Sequence, residues 1–301
     1  MKASKVIRHV RKFSKPYRVV NGKKFHLKDF DPKETGDLSS DDKPRAKEAL
    51  EEGITALATL QEVLYAQNRW SVLVIFQAMD AAGKDGAIKH VMSGINPQGC
   101  QVSVYKAPSD DELDHDYLWR CVRNLPERGR IGIFNRSYYE ETLAVRVHPD
   151  FLERQKLPES EVNKQIWEQR HGQIRDFERY LRENGTIVLK FFLHVSKGEQ
   201  KKRLLERLNN AEKHWKFDPR DLVERQFWDD YMKAYEETIC GTATKDAPWY
   251  VVPADNKWYT RVVVASAIID ALDSLDLEYP RLDSKQRGAL SKARKALAAE
   301  N

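Results

Sequence analysis

One run, VLVIFQAMDAAGKDG at residues 72–86, restricts the possible folds more than any other part of this 301-residue chain. Five consecutive apolar residues, 72–76, read as a strand buried on both faces. A turn of small residues follows. Gly83 and Lys84 then open a helix whose apolar positions are Ile88, Val91, Met92 and Ile95. A strand, a tight loop and a helix amino terminus in that order make an anion cradle, because backbone N–H groups and the helix dipole converge on one point. The lysine adds a point charge. The match to GxxxxGK[ST] is incomplete: Ala78 replaces the first glycine, and Asp85 stands where a magnesium-binding Ser or Thr would be. Asp80 puts a carboxylate inside the loop, which makes sense only if a cation accompanies the phosphate. The run predicts phosphoryl transfer, and not by an ordinary ATPase.

The rest of the chain is consistent with one large α/β domain. No apolar run approaches the ~18 residues of a membrane span, and no apolar signal-peptide region is visible. Cys100, Cys121 and Cys240 have no paired spacing, and the eight histidines form no HxxxH or HExxH. That argues against a disulfide framework or a zinc site and suits a reducing, cytoplasmic setting. Residues 1–24 carry nine Lys/Arg and no acid, and residues 281–301 carry six against two, so the interior is mildly acidic. We expect the basic ends to be solvated extensions, an arm over 1–24 and a tail over 281–301. Val6, Val10 and Phe13 put a weak apolar stripe on the arm, so a transit peptide is a second reading of it.

Apolar periodicity predicts a helix over 44–66 and strands over 72–76, 101–105, 131–134, 186–195 and 249–252. Helices are expected over 110–124, 161–182, 197–208 and 259–272, with another after Asp218-Pro219. Strands alternating with helices imply a parallel sheet covered on both faces, with ligands at the carboxyl ends of the strands.

Two further constellations bear on chemistry. At the end of the third strand stands GIFNRSYYEE, residues 132–141. Asn135 occupies the place where such folds usually carry an Asp for a second metal contact, Arg136 can grip a phosphate with its planar fork, and Glu140 or Glu141 can restore the missing charge. A purely structural account, with Asn135 and Arg136 capping a helix and the glutamates favouring its dipole, is the competing reading. The basic segment 203–221 interleaves Trp215 and Phe217 with cations, as a mobile lid over phosphates would. Its competing reading is a solvated hairpin with Trp215 as a core anchor.

Taken in order, AMDAAGKDG, SGINPQG, KAPS, DYLWR, IFNRSYYEE, RLNNAEKHWKF and APWYVVPAD resemble the family-2 polyphosphate kinases over residues 25–280. The resemblance implies a thymidylate-kinase-like P-loop fold, a three-layer sandwich with a five-stranded parallel sheet and a helical lid. It implies reversible phosphoryl transfer between inorganic polyphosphate and adenine or guanine nucleotides with Mg²⁺ or Mn²⁺. Hydrophobic helices beside the P-loop core point to a homo-oligomer, dimer or tetramer, and no membrane or nucleic-acid partner is expected. Members that prefer ADP or GDP typically show Asp then Asn at the positions of Asn135 and Glu140; the Asn and Glu here resemble the class that takes both AMP and ADP. On this reading Asp80 anchors metal with Asn135 and Glu140. Ala81, Ala82, Gly83, Lys84, Asp85 and Gly86 cradle a phosphate group. Arg136 holds the acceptor or transferring phosphate, and Arg207, Lys213 and Lys216 follow the polyphosphate chain. Lys106 and Arg120 are phosphate contacts carried over from the matching segments, and the nucleoside is placed near Asn96 and Pro97. The rivals are an ATP-using nucleoside monophosphate kinase, which would keep GxxxxGK[ST], and a polyphosphate- or RNA-binding protein on a decayed kinase fold.

Overall fold

In a computed structural model describing residues 12–300, six strands form one sheet in the order β1-β6-β5-β2-β4-β3. The strands are β1 Arg18–Val19, β2 Ser71–Gln77, β3 Cys100–Val104, β4 Ile131–Asn135, β5 Thr186–His194 and β6 Trp249–Pro253. Helices of eight residues or more are α1 Lys43–Gln67, α2 Lys84–Val91, α3 Ile166–Glu183, α4 Lys197–Asn209, α5 Trp228–Thr242, α6 Lys257–Asp273 and α7 Ser284–Ala298. β2 through β6 pair in parallel, as the alternation predicts. Every residue of β2, β4 and β6 is buried, which requires cover on both faces. One helical layer packs α6 against α1 and α2; the other packs α5 against α3.

Register near the carboxyl ends is reinforced by aromatic rings. Phe76 pairs with Phe191 and Phe191 with Tyr250, and the rings stack in sequence with centroids 5.2 Å apart in each pair. Such contacts add about 0.5–1.5 kcal/mol each beyond the area they bury. Phe76 lies two residues before Ala78, so this ladder fixes the point from which the phosphate loop departs.

The sheet differs from expectation at its edge. β1 adds a sixth, antiparallel strand against β6, with Arg18 opposite Tyr250 and Val19 opposite Trp249. The segment from Phe13 to Lys24 is therefore not a free arm. Tyr17 is 1% exposed, its hydroxyl lies 2.9 Å from that of Tyr259, and a Cβ at Gly22 would collide with the backbone of Cys240. The apolar positions Val6 and Val10 lie outside the described residues. The basic tail does stay in solvent, but as an ordered helix: α7 is exposed along its whole length and starts with a capping box at Asp283 and Gln286.

Two helices are shorter than their periodicity suggests, for the same physical reason. Residues 110–124 split into Asp110–Leu113 and Trp119–Val122, because the Asp116 side chain accepts the Leu118 N–H and folds the chain into a turn. α3 starts at Ile166 because Asn163 accepts the Gln165 N–H in the same way.

Candidate active site

The loop between β2 and α2 has the cradle shape its sequence predicts. Gly83 adopts φ +109°, and Ala81 sits at φ +60°, so the chain reverses tightly before α2 begins. The loop is held from outside by α4. Arg203, 4% exposed, donates to the carbonyls of Ala81 (3.2 Å), Ala82 (2.7 Å), Ala254 (2.7 Å) and Asp255 (3.0 Å), and Gln200 donates to Asp80 O at 3.0 Å. Neither residue was singled out from the sequence. The available signal was the spacing of Gln200, Arg203 and Arg207, which places all three on one helical face.

Lys84 lies under the loop, 9% exposed, with Nζ donating to Ala78 O at 2.9 Å. Burial, aided by the nearby Arg136 cation, lowers its pKa to about 8, while Asp80, Glu140 and Asp85 oppose that shift. Asp85 accepts from Asn135 Nδ2 at 2.9 Å. The place of the usual magnesium-binding hydroxyl is thus taken by a carboxylate tied to the end of β4. Asn135 makes this contact through Nδ2; its Oδ1, the atom a cation would use, is not engaged by it.

The charged centre forms where β2 and β4 end. Arg136 Nη2 lies 2.7 Å from Asp80 Oδ1, and Nη1 lies 3.1 Å from Glu140 Oε2. The guanidinium is held firmly charged, first by Glu140 and then by Asp80. Gln77 lies beside this bridge, its amide against Ser137 Oγ and Glu140. Glu141 turns away to Arg170 (3.0 Å) and Gln155 (2.7 Å), in a buried setting that raises its pKa. Of the two glutamates, only Glu140 belongs to the centre. A cavity of about 20 Å³ here is lined by Asp80, Arg136, Glu140, Glu224, Tyr231 and Tyr235. Glu224 enters from the far limb of the lid, where its Oε2 accepts from Tyr231 (2.6 Å) and meets His148 Nε2 (2.9 Å). A larger cavity, about 610 Å³, opens beside α5 and shares no lining residue with this centre, so size alone does not locate the chemistry.

The other expected residues separate into groups. Arg207 pairs with Asp221 Oδ2 at 3.1 Å; burial, then the neighbouring Asp80, raises the Asp221 carboxyl to about 6. Lys213 and Lys216 are exposed on a 3-10 segment, Ala211–Lys216. Trp215 is 78% exposed with Lys216 over its ring, so it anchors no core. Lys106 is exposed just beyond β3, at the loop's end of the sheet. Arg120 donates to Lys106 O (3.0 Å), pairs with Glu112 (3.2 Å) and covers the Tyr105 ring, which makes it a brace for that segment. Asn96 and Pro97 do not join the site. They precede the amino end of β3, which is parallel to β4 and β2, so they stand at the opposite end of the sheet from the loop.

Among the described residues, no three His, Cys, Asp or Glu side chains are gathered as a metal cage. Asp80 and Glu140, both within reach of one guanidinium, are nevertheless placed to share a cation. Their number suits Mg²⁺, which takes one or two carboxylates and leaves its other positions to phosphate oxygens and water.

Residues 39–280 match the family described as polyphosphate kinase 2. An ADP-polyphosphate phosphotransferase of Rhodopseudomonas palustris is 51% identical over 285 residues, covering 94% of this chain and 98% of the relative. An AMP/ADP-polyphosphate phosphotransferase of Meiothermus ruber is 46% identical over 267 residues, covering 89% and 96%. The crystal structure of polyphosphate kinase 2 from Arthrobacter aurescens TC1 superposes with a TM-score of 0.83 at 40% identity, covering 93% of this chain and 96% of that one.

Proposed function

The chain belongs to the polyphosphate kinase 2 family, and we propose that it transfers phosphoryl groups reversibly between inorganic polyphosphate and adenine nucleotides, forming ADP and ATP from AMP and ADP. The observation that carries the residue-level reading is the Arg136 bridge between Asp80 and Glu140, one strand from a buried Lys84. Two polyanions must meet within bonding distance, so the barrier is electrostatic and positional before it is covalent. The residues answer that need. Loop amides and Lys84 cradle one phosphate group, and Arg136 offers a planar fork to the other. Lid cations Lys213 and Lys216 follow the chain, and closure of the lid excludes water that would otherwise intercept the phosphoryl group.

Asp80 and Glu140 are the residues that would hold a divalent cation, Mg²⁺ or Mn²⁺. Bound there, such an ion would supply electrostatic stabilisation of the charge that develops during transfer. A general base is unnecessary, because an attacking phosphate oxygen already lacks its proton. Asp85 tied to Asn135 argues against the ATP-using rival, whose magnesium contact that position would supply. Glu140 supports the reading that AMP as well as ADP is accepted.

No helix among the described residues is long and apolar enough to cross a membrane. The three free cysteines suit a reducing, cytoplasmic setting. Exposed Val102 and Val104 on the edge strand β3 support a homo-oligomer, dimer or tetramer, which light scattering tests directly. The reaction itself is tested by incubating AMP, and separately ADP, with long-chain polyphosphate and Mg²⁺ and without ATP. ADP and ATP arising from AMP confirm the reading. Turnover only after ATP is supplied as donor would hand the site to the nucleoside monophosphate kinase rival.

A further inference from the structure

Arg136 has a left-handed backbone, φ +64°, which an arginine adopts only where its neighbours determine it. What determines it lies below the site. Before the turn, the Arg136 N–H donates to Phe76 O at 2.9 Å. After it, Ser137 Oγ accepts the Tyr139 N–H at 3.1 Å, and the 3-10 turn Tyr138–Thr142 begins. The next two hydroxyls then converge on one buried carboxylate. Tyr138 and Tyr139 donate to Glu178 Oε1 at 3.0 and 2.7 Å. Lys190 completes the cluster from β5, with Nζ at 2.6 Å from Glu178 Oε2, 2.8 Å from Thr242 O and 3.1 Å from the Tyr139 hydroxyl.

None of this reaches solvent: Lys190 is 0%, Tyr139 0%, Glu178 1% and Tyr138 2% exposed. A fully buried ion pair is a poor way to stabilise a fold, since well-packed apolar residues of similar size commonly do as well or better. It is, however, a good way to hold groups in one arrangement. Here it joins α3, β5, the end of α5 and the turn that carries Glu140. Burial keeps both phenols protonated, so they remain donors across the working pH range. The pair lies beneath the site, and among the described residues its hydrogen bonds go to Tyr138, Tyr139 and Thr242 and to none of the charged residues of the site.

We propose that Glu178 and Lys190 are positioning residues for the reaction: through Tyr138 and Tyr139 they lock the turn between Arg136 and Glu140, and so keep the Arg136 guanidinium seated between Glu140 and Asp80. The inference rests on the proposed reaction at that site. Its consequence is energetic coupling. Removing the lock misaims Glu140 and Arg136, and it therefore matters less once Glu140 is already gone.

The test is a double-mutant cycle on the full-length enzyme. Tyr138→Phe/Tyr139→Phe deletes two hydroxyls and keeps both rings; Glu178→Gln is a second, independent release of the lock. Each is made in the wild-type and Glu140→Ala backgrounds, with circular dichroism reporting the fold and kcat measured with polyphosphate and nucleotide. In the wild-type background kcat is expected to fall about ten- to a hundredfold, the scale of a misplaced reacting group. In the Glu140→Ala background the further loss is expected to be several-fold smaller than in the wild type, because only the Arg136 part of the lock still counts. Equal losses in both backgrounds, or an unchanged kcat in either folded variant, would overturn the inference. A wild-type enzyme silent with polyphosphate would remove the reaction first, and the inference with it; an active wild type with additive losses removes the inference alone.

Discussion

Arg136 Nη2 lies 2.7 Å from Asp80 Oδ1, which joins the end of β4 to the phosphate loop at the point where the chemistry is expected. The same guanidinium reaches Glu140, so one cation balances two carboxylates. This relationship makes Asp80 the residue whose charge organises the centre.

Asp80→Asn keeps size and hydrogen-bonding shape while removing that charge. Turnover is expected to fall about 10³-fold or more, the scale of losing a main electrostatic stabiliser in a phosphoryl-transfer site. Folding should survive, since Asp80 is about a quarter exposed and other contacts hold the loop. Steady-state rates beside a thermal melt decide it; near-normal turnover removes the proposed centre.

Lys84 makes pH a probe of the loop. Its pKa is lowered to about 8, so in the free enzyme the ammonium is present below that value and lost above it. Phosphate binding needs the charged form, hence kcat/KM should decline as pH rises through about 8. Bound polyphosphate favours the cation and pushes the limb in kcat to higher pH. Lys84→Ala should lower kcat/KM by several orders of magnitude and erase the limb. A limb that persists in the variant would assign it to another group.

How much of this was legible in the chain depends on whether the signal was local. β2 and the loop were, because five apolar residues and a Gly-Lys pair act over fifteen positions. β1 was not: two residues in a basic stretch show no period, and only Tyr17 and Val19 against the sheet reveal it. Glu140 and Glu141 are indistinguishable as letters. A 3-10 turn rotates neighbours by about 120°, which sends one to Arg136 and the other to Arg170. The contact between Asn135 and Asp85 was not legible either, because nothing local shows that Asp85, fifty residues earlier, accepts from its Nδ2. Asn96 and Pro97 failed for the complementary reason. Which end of a strand faces the site is a property of the sheet, not of the segment.

Glu140→Asn tests substrate choice. The shorter neutral side chain loses the contact to Arg136 and should depress kcat/KM for AMP more than for ADP, by about tenfold in their ratio, a difference of about 1.4 kcal/mol. Parallel assays with each acceptor measure that ratio directly. Equal losses would show that position 140 does not set the acceptor.

Arg203→Met removes the clasp between α4 and the loop while keeping an extended side chain in place. Four backbone carbonyls lose a buried charged donor, and Glu199 loses its partner at 2.9 Å. Stability is expected to fall by about 3 kcal/mol, the scale of breaking a buried charged network. Denaturant unfolding reads the loss, and an unchanged midpoint would mean that the loop holds itself.

Lys213 and Lys216 should act on the chain donor alone. Both are exposed on the lid, so replacing them costs the fold little, and any effect on polyphosphate comes through long-range attraction. Lys213→Ala/Lys216→Ala is therefore expected to raise KM for long-chain polyphosphate about tenfold at low salt and to leave kcat nearly unchanged. Attraction between exposed charges fades beyond about 10 Å at 0.1 M salt, so the two enzymes should converge as ionic strength rises. Short chains that end before the lid should feel the substitution least. A KM unaffected at low salt would place the polyphosphate path elsewhere, whereas a drop in kcat with KM fixed would move these lysines from guiding the chain to the transfer step.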